Sequence, residues 1–471
     1  MIPLRRTLSN VVQPKCLERT YDTDSLHSTG VVIIFHNEAW SVLLRTVHSI
    51  LDNTPSRLLS DVILVDDAST LPDLGRPLDD YVLLLDKVKV VRMSARVGLM
   101  VSRNKGCLAV TGRVCVFLDS HCEVAQMWLE PLLERIRADD RILAVPATDY
   151  INSSSFQYTV IPGDQAMRGG MDLDLYFNWI PQSQTDNRRR GDMLNPMWSP
   201  THLGCCFAVS KATFLHLGMY DPDLRIWGCE NIELSFKIWM CGGRIEVVPC
   251  SHVAHLFRYM APWSWGTDDP DLLSKNCLRV AEVWMDEYKV LYHDRIFNRQ
   301  KELDFGDVSK RKDLRKSLGC RSFHWYVETV YPELYIPTGG SASGQIRNVR
   351  IKKLCVQSPV HRTDYGKRVG VAQCSKQALI QHFTLTKEQT IRRDDGCLDY
   401  DGKQWLVVTR CTSAGTWMYT EDNNIVHTAT GRCLGLTSGQ MSVVVVRCDH
   451  SAWTKWLWDR RTITLDHHNT D

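Results

Sequence analysis

Three short strings concentrate the chemistry available to this chain. Asp119-Ser-His121 sets a carboxylate and an imidazole two residues apart. On an extended segment residues i and i+2 point the same way, so both side chains can reach one cation. His252-Val-Ala-His255 supplies further imidazoles downstream. Carboxylate, imidazole, phosphate oxygen and water together suit an octahedral ion such as manganese or magnesium. A compact cluster, Trp227-Gly-Cys-Glu230-Asn231, offers an aromatic face for a sugar and polar groups for its hydroxyls. Plainer readings exist too, and histidine spacings like that of His252 and His255 are common by chance. The first string reads as a strand-end turn. The last is a helix N-terminus, since Glu230 to Trp239 carries apolar residues at helical spacing.

The surrounding pattern says what must position these groups. Val31-Val-Ile-Ile-Phe35 is a short, wholly apolar, β-branched run and predicts a buried strand. Trp40 to Leu51 has helical spacing. Asp61 to Asp67 predicts a second strand that ends in two carboxylates, Asp66 and Asp67, and Lys87 to Met93 a third. Gly98 to Val110 predicts a helix, and Arg113 to His121 a fourth strand with polar residues at its carboxyl end. Strands alternating with helices imply an α/β domain with a mostly parallel sheet. Ligands of such sheets bind beyond the carboxyl ends of the strands, where Asp66, Asp67, Asp119 and His121 all fall.

From Gly339 onward helical periodicity fades. Cysteine pairs Cys355/Cys374, Cys397/Cys411 and Cys433/Cys448 enclose similar stretches, and each is followed by an aromatic: Phe383, Trp417 and Trp456. Repeats of roughly 40 residues indicate an internally symmetric β-structure. The run Gly339 to Gly344 reads as a linker. At 471 residues the chain is too long for one ordinary core. A net charge of +2 with intermixed signs gives no footprint for nucleic acid, and Arg188 to Arg190 reads as a solvated loop. No apolar run approaches the roughly 18 residues of a membrane span, and the first residues lack the apolar segment of a signal peptide.

In order along the chain, Val32 to Ser41, Asp66-Asp67, Leu118 to His121, Trp227 to Asn231, Cys250 to Arg258 and Glu282 to Tyr288 resemble the motifs of the polypeptide N-acetylgalactosaminyltransferases. The resemblance covers about Cys16 to Trp458. It implies a GT-A nucleotide-sugar transferase domain (28–335) after a stem remnant (1–27), then a linker (336–345) and an all-β trefoil lectin domain of ricin type (346–471). It also implies transfer of N-acetylgalactosamine from UDP to Ser or Thr hydroxyls of peptides or glycopeptides, with retention of configuration and Mn2+ as cofactor. Asp119, His121 and His255 match metal ligands. His36, Asp67, Arg96, Arg103, Ser120 and Cys205 match donor-binding positions. Trp227, Glu230, Asn231 and Arg258 match catalytic ones. Cys16 is expected to pair with Cys250 and Cys241 with Cys320, beside the three C-terminal pairs. That leaves Cys107, Cys115, Cys122, Cys205, Cys206, Cys229 and Cys277, most of them as buried free thiols. The implied setting is the Golgi lumen, by way of a type II membrane anchor absent from this chain.

The chain departs from that family at points that bear on chemistry. Cys205 and Cys229 each stand where the second of two consecutive glycines is usual, adding bulk where the acetamido sugar is expected. Trp263 stands where tyrosine is common and Val101 where arginine is common. In the lectin repeats only the middle one keeps the aspartate after Cys-Leu, Asp399; Gln357 and Gly435 occupy the equivalent places, so GalNAc-type glycans are expected at the middle repeat alone. The rival reading is a catalytically silent homologue that binds glycans or glycoproteins. A two-carboxylate glycosidase leaves the metal triad without a role, and a metal-dependent hydrolase is the third reading.

Overall fold

The computed structural model describes residues 2–8, 11–258, 269–358, 364–437, 442–449 and 451–465. Trp263 lies outside them. Two compact units emerge, one made of residues 1–171, 176–284 and 305–331, the other of 172–175, 285–304 and 332–471. Residues 285–304 therefore belong with the second unit, not with the 28–335 domain expected from the sequence.

A ten-stranded sheet organises the first unit. Strands Val88–Arg92, Leu59–Asp66, Thr29–Phe35 and Val114–Asp119 lie side by side and parallel, as their alternation with helices requires. Cys206–Ser210 then pairs antiparallel with both Val114–Asp119 and Ile142–Ile151, and Arg244–Leu256 runs parallel to the latter. Helix Trp40–Asn53 covers the sheet with Leu43, Leu44, Val47 and Ile50, the apolar face its spacing predicts. The carboxyl ends of the four parallel strands gather Asp66, Asp67 and Asp119 on one rim.

The first 27 residues are more than a stem remnant. Cys16 is buried and bonded to Cys250, and Arg6 pairs with the buried carboxylate of Glu123 at 2.6 Å. The Arg188 to Arg190 run is helical rather than a loop, with Arg188 and Arg189 exposed and Arg190 buried. It closes helix Gln184–Arg190, where Arg189 lies 4.3 Å over the Trp198 ring and buried Arg190 donates to the carbonyls of Met193 and Asn195. Long apolar stems let arginine pack while the guanidinium finds backbone acceptors.

Among the described residues the second unit holds one five-stranded and two four-stranded sheets. Phe383, Trp417 and Trp456, one from each repeat, are fully buried in a shared core. The indole N–H groups of Trp417 and Trp456 donate to the carbonyls of Leu398 and Leu434, the residue after the first cysteine of each repeat. Part of the expected linker is a strand: Ala342–Gln345 pairs antiparallel with His382–Leu385.

All five expected disulfides are present. Cys16 is bonded to Cys250 and Cys241 to Cys320, while Cys355–Cys374, Cys397–Cys411 and Cys433–Cys448 close the three repeats. The two cysteines of each repeat are not equivalent. Cys355, Cys397 and Cys433 sit within strands and are fully buried. Cys374, Cys411 and Cys448 come just after the partner strands Gly370–Gln373, Leu406–Arg410 and Val443–Val446 and are only half-buried. Each bond thus ties the chain leaving a strand pair back to the core strand of that pair. Two more disulfides join cysteines expected to be free: Cys107–Cys115 and Cys229–Cys277. Cys107 lies near the end of a helix and Cys115 near the start of the strand after it, so the short return brings them together. Cys122, Cys205 and Cys206 are the free thiols among the described residues, all buried.

Candidate active site

Asp119 ends its strand, His121 follows two residues on, and His255 arrives on the Arg244–Leu256 strand, which pairs with Cys122–Val124. The pairing of His255 with Cys122 sets the imidazole beside the Asp119 turn. One ligand atom from each of Asp119, His121 and His255 lies within 4.8 Å of the others. His255 Nε2 is 3.3 Å from Asp119 Oδ2, and the two imidazole rings sit 4.6 Å apart. His252 is elsewhere. An odd offset along a strand points it to the opposite face, where it is buried against Asp149 at 3.0 Å. Burial lowers the pKa of His255, opposed by its bond to Asp119, so the ring is held neutral and able to ligate. Two imidazoles and a carboxylate converging with open sides fit a manganese ion.

Three buried groups hold this triad. Glu38, 2% exposed, accepts from His121 Nδ1 at 3.0 Å, from Ser120 Oγ at 3.2 Å and from Arg258 at 2.9 and 3.2 Å. Burial alone would raise its pKa; the His121 and Arg258 bonds outweigh that and bring it to about 2. The sequence pattern assigns Glu38 no role, although it lies in the Val32 to Ser41 string. Its signal is the capacity of a carboxylate to take the second nitrogen of a metal-ligating histidine. Arg103 is 1% exposed and sits under the site: it donates to Asp119 Oδ1 at 3.1 Å and to the Gly204 carbonyl at 2.5 Å. It thus positions a ligand from below. The backbone N–H of Asp119 donates to the Cys205 carbonyl, joining the third group.

Beyond the next strand, the Asp67 carboxylate accepts the N–H groups of Val97 and Gly98 at 2.8 and 3.0 Å. His36 Nδ1 lies 2.8 Å from the Asp67 carbonyl. Arg96 keeps Nε and Nη1 buried with no hydrogen-bond partner among the described residues. Such orphaned donors are costly unless a ligand supplies acceptors. Gly98 has φ +92°, and a Cβ there would lie 2.4 Å from the Ile226 Cα, so only glycine lets the Trp227 turn approach. At the sugar side, Glu230 Oε2 accepts the Gly228 N–H at 2.9 Å, and Asn231 donates to the His202 carbonyl at 3.0 Å. Burial raises the Glu230 pKa, with Arg103 opposing.

A family model described as "Glycosyl transferase family 2" matches residues 30–212, one described as "N-terminal domain of galactosyltransferase" matches 193–261, and "Ricin-type beta-trefoil lectin domain" matches 342–456. Polypeptide N-acetylgalactosaminyltransferase 5 of Caenorhabditis elegans is 43% identical over 96% of this chain and 72% of its own length. The chain belongs to the polypeptide N-acetylgalactosaminyltransferase family. Polypeptide N-acetylgalactosaminyltransferase 13 of Homo sapiens is 39% identical over 99% of the chain and 84% of its own. A crystal structure of GalNAc-T7 with UDP, GalNAc and Mn2+ superposes with TM-score 0.80 at 33% identity, covering 99% of this chain and 87% of that one.

Within this family member the two cysteine departures take on new meaning. Cys229 has φ +63°, the left-handed conformation glycine favours, but its sulfur is bonded to Cys277, not left pointing at a sugar. Cys205 packs into the buried cluster with Leu118, Cys122 and Cys206. The Cys229 sulfur is therefore held in a disulfide, and the Cys205 side chain is buried among core neighbours.

In the lectin unit Asp399 is anchored by the N–H groups of Tyr400 at 2.7 Å and Gly415 at 2.8 Å, with His427 Nε2 at 3.4 Å. Trp417 is fully buried, so it is not available to stack on a sugar; partly buried Tyr400, 5.8 Å ring to ring from His427, is the aromatic nearby. In the first repeat Gln357 is engaged by Gln381 at 2.9 Å. In the third, a side chain at Gly435 would lie 2.9 Å from Val446.

Proposed function

We propose that this chain transfers N-acetylgalactosamine from UDP-GalNAc to Ser or Thr hydroxyls of polypeptides, with Mn2+ held by Asp119, His121 and His255. The observation that carries the reading is the convergence of those three side chains on the rim shared with Asp67 and the unpartnered Arg96 nitrogens. When bound, the metal supplies Lewis-acid neutralisation of the diphosphate leaving group. The protein's own residues do the rest. Asp67 and Arg96 offer the acceptor and donors that fix a nucleotide. Glu38 keeps His121 in the tautomer that frees Nε2. Arg258, carried on Glu38 at 18% side-chain exposure, brings a second cation to the departing phosphates. Glu230 and Asn231 hydrogen-bond sugar hydroxyls, and Trp227 covers the apolar sugar face.

The lectin unit is read as holding GalNAc-type glycans at Asp399, which extends acceptor choice to glycopeptides. Operation in the Golgi lumen is supported by seven disulfides, which persist in oxidising compartments. No helix among the described residues is long and apolar enough to cross a membrane. The deciding experiment is a transfer assay with UDP-GalNAc, Mn2+ and a panel of Ser/Thr peptides and glycopeptides. Product with any acceptor supports the reading. UDP and Mn2+ binding without transfer or donor hydrolysis would establish the silent homologue.

A further inference from the structure

Cys229 is left-handed at φ +63°, as is Ile226 at φ +57°, and Gly228 has φ +107°. Residues with a Cβ resist that region, so the turn from Arg225 to Glu230 needs outside support. Helix Leu272–Trp284 supplies it through two neighbours. Asn276, 1% exposed, donates its amide to the carbonyls of Arg225, Trp227 and Gly228 at 2.8, 3.1 and 3.4 Å. Its oxygen accepts the Arg225 N–H at 3.0 Å. Cys277, the next residue, is bonded to Cys229.

The turn touches both ends of the donor site. The Ile226 carbonyl accepts the Leu99 N–H at 2.8 Å, next to the Gly98 N–H that caps Asp67. The Gly228 N–H meets Glu230. A shift of this turn therefore moves the nucleotide end and the sugar end together.

We infer that Asn276 and the Cys229–Cys277 disulfide are positioning residues that lock the Arg225 to Glu230 turn in one donor-ready conformation. The inference rests on the proposed donor contacts of Trp227 and Glu230. Neither positioning element touches a reacting atom. Their effect is that ordering of the turn is completed during folding, so donor binding does not bear its entropy.

The test compares the full chain with a Cys229→Gly/Cys277→Ser double variant and with Asn276→Asp. Glycine removes the Cβ and the cross-link together. Aspartate keeps the acceptor for Arg225 but loses the donors to three carbonyls. Amide hydrogen exchange across residues 225–231 is expected to quicken at least about tenfold in the double variant and less in Asn276→Asp. KM for UDP-GalNAc is expected to rise about tenfold with kcat within about threefold. Binding of Mn2+ alone, by calorimetry, is expected to stay within about twofold, while UDP alone is expected to weaken in the same direction as the KM. Unchanged exchange in a folded variant overturns the lock. Faster exchange with unaltered KM and kcat overturns its role in donor positioning. Should the double variant not fold, Asn276→Asp decides on the same readouts. A wild-type chain that transfers nothing defeats the proposed function instead, and the exchange comparison still judges the lock.

Discussion

Replacing Glu38 by glutamine tests how far the metal triad depends on the carboxylate behind it. Glu38 serves four side-chain bonds, from His121, Ser120 and both Arg258 nitrogens, and a fifth from the Ala39 N–H at 2.8 Å. An amide of the same shape offers one acceptor oxygen and adds an NH2 among groups that are themselves donors. Either His121 or Arg258 must lose its partner. Loss of an outer partner of a metal-ligating histidine costs about 10- to 100-fold in metal affinity, or about 1.4–2.7 kcal/mol. Glu38→Gln is therefore expected to raise the Mn2+ dissociation constant by that factor, measured by calorimetry on the chain without donor. The same variant reports on pH. The carboxyl falls from 4.5 to about 2 on folding, so its stabilisation is complete above the unfolded value and is lost as pH drops through the folded one. The shift corresponds to on the order of 3 kcal/mol. The wild-type advantage in chemical denaturation should be full at pH 7 and shrink between pH 4.5 and about 2. A Mn2+ affinity within about twofold of wild type would refute the reasoning, because His121 would then be held without Glu38.

Cys205→Gly should leave kcat/KM for the donor within about threefold and lower stability by roughly 1 kcal/mol, because the side chain fills core space. A rise of tenfold or more, about 1.4 kcal/mol, would put the thiol in the sugar pocket after all. Asp399→Ala should abolish binding of the full chain to GalNAc-bearing glycopeptides, read by calorimetry; undiminished binding would move the lectin site to another repeat. Thiol titration in denaturant without reductant should find only Cys122, Cys205 and Cys206, with non-reducing peptide maps placing Cys107 with Cys115 and Cys229 with Cys277. Mild reduction of the folded chain should open the half-buried bonds at Cys374, Cys411 and Cys448 before the buried Cys16–Cys250 bond; the reverse order in differential alkylation would contradict their placement.

The sequence was most informative where periodicity and chemistry coincide. The strand ending at Asp119 is wholly apolar until its last residues, so the position of its carboxylate on the rim follows from the pattern. The aromatic after each cysteine pair is core in all three repeats, which the repeat spacing also conveys. The spacing does not convey that Cys374, Cys411 and Cys448 lie nearer the surface than the cysteines they bond. Three-dimensional pairings were less legible. Nothing in the local sequence tells that Cys229 meets Cys277, since a cysteine in place of glycine reads as bulk until its partner is known. Glu38 was hidden in the same way: its role comes from His121 and Arg258, which are distant in sequence. Resemblance places Arg103 at the donor; its burial beneath Asp119 is a property of the packed helix Leu99–Ala109 that local spacing does not convey. The grouping of residues 285–304 with the second unit was equally invisible, because helical spacing does not say which core a helix joins.

The Cys16–Cys250 bond spans 234 residues, and this bears on how the chain is made. At roughly 5–20 residues per second of synthesis, Cys16 emerges about 10–50 s before its partner exists. During that interval Cys107 and Cys115, only 8 residues apart, can already close. Cys122, Cys205, Cys206, Cys229 and Cys241 follow while Cys16 is still reactive, the last two ahead of their own partners Cys277 and Cys320. Whatever keeps the three that stay free, Cys122, Cys205 and Cys206, from capturing it must act on the nascent chain. The strands Val114–Asp119 and Cys206–Ser210 bury them when they dock, so early sheet assembly would shield them from the oxidising machinery until Cys250 arrives. Variants that delay this docking should leave the ribosome with Cys16 in the wrong bond, and their yield should depend on disulfide isomerase even where the finished fold is stable.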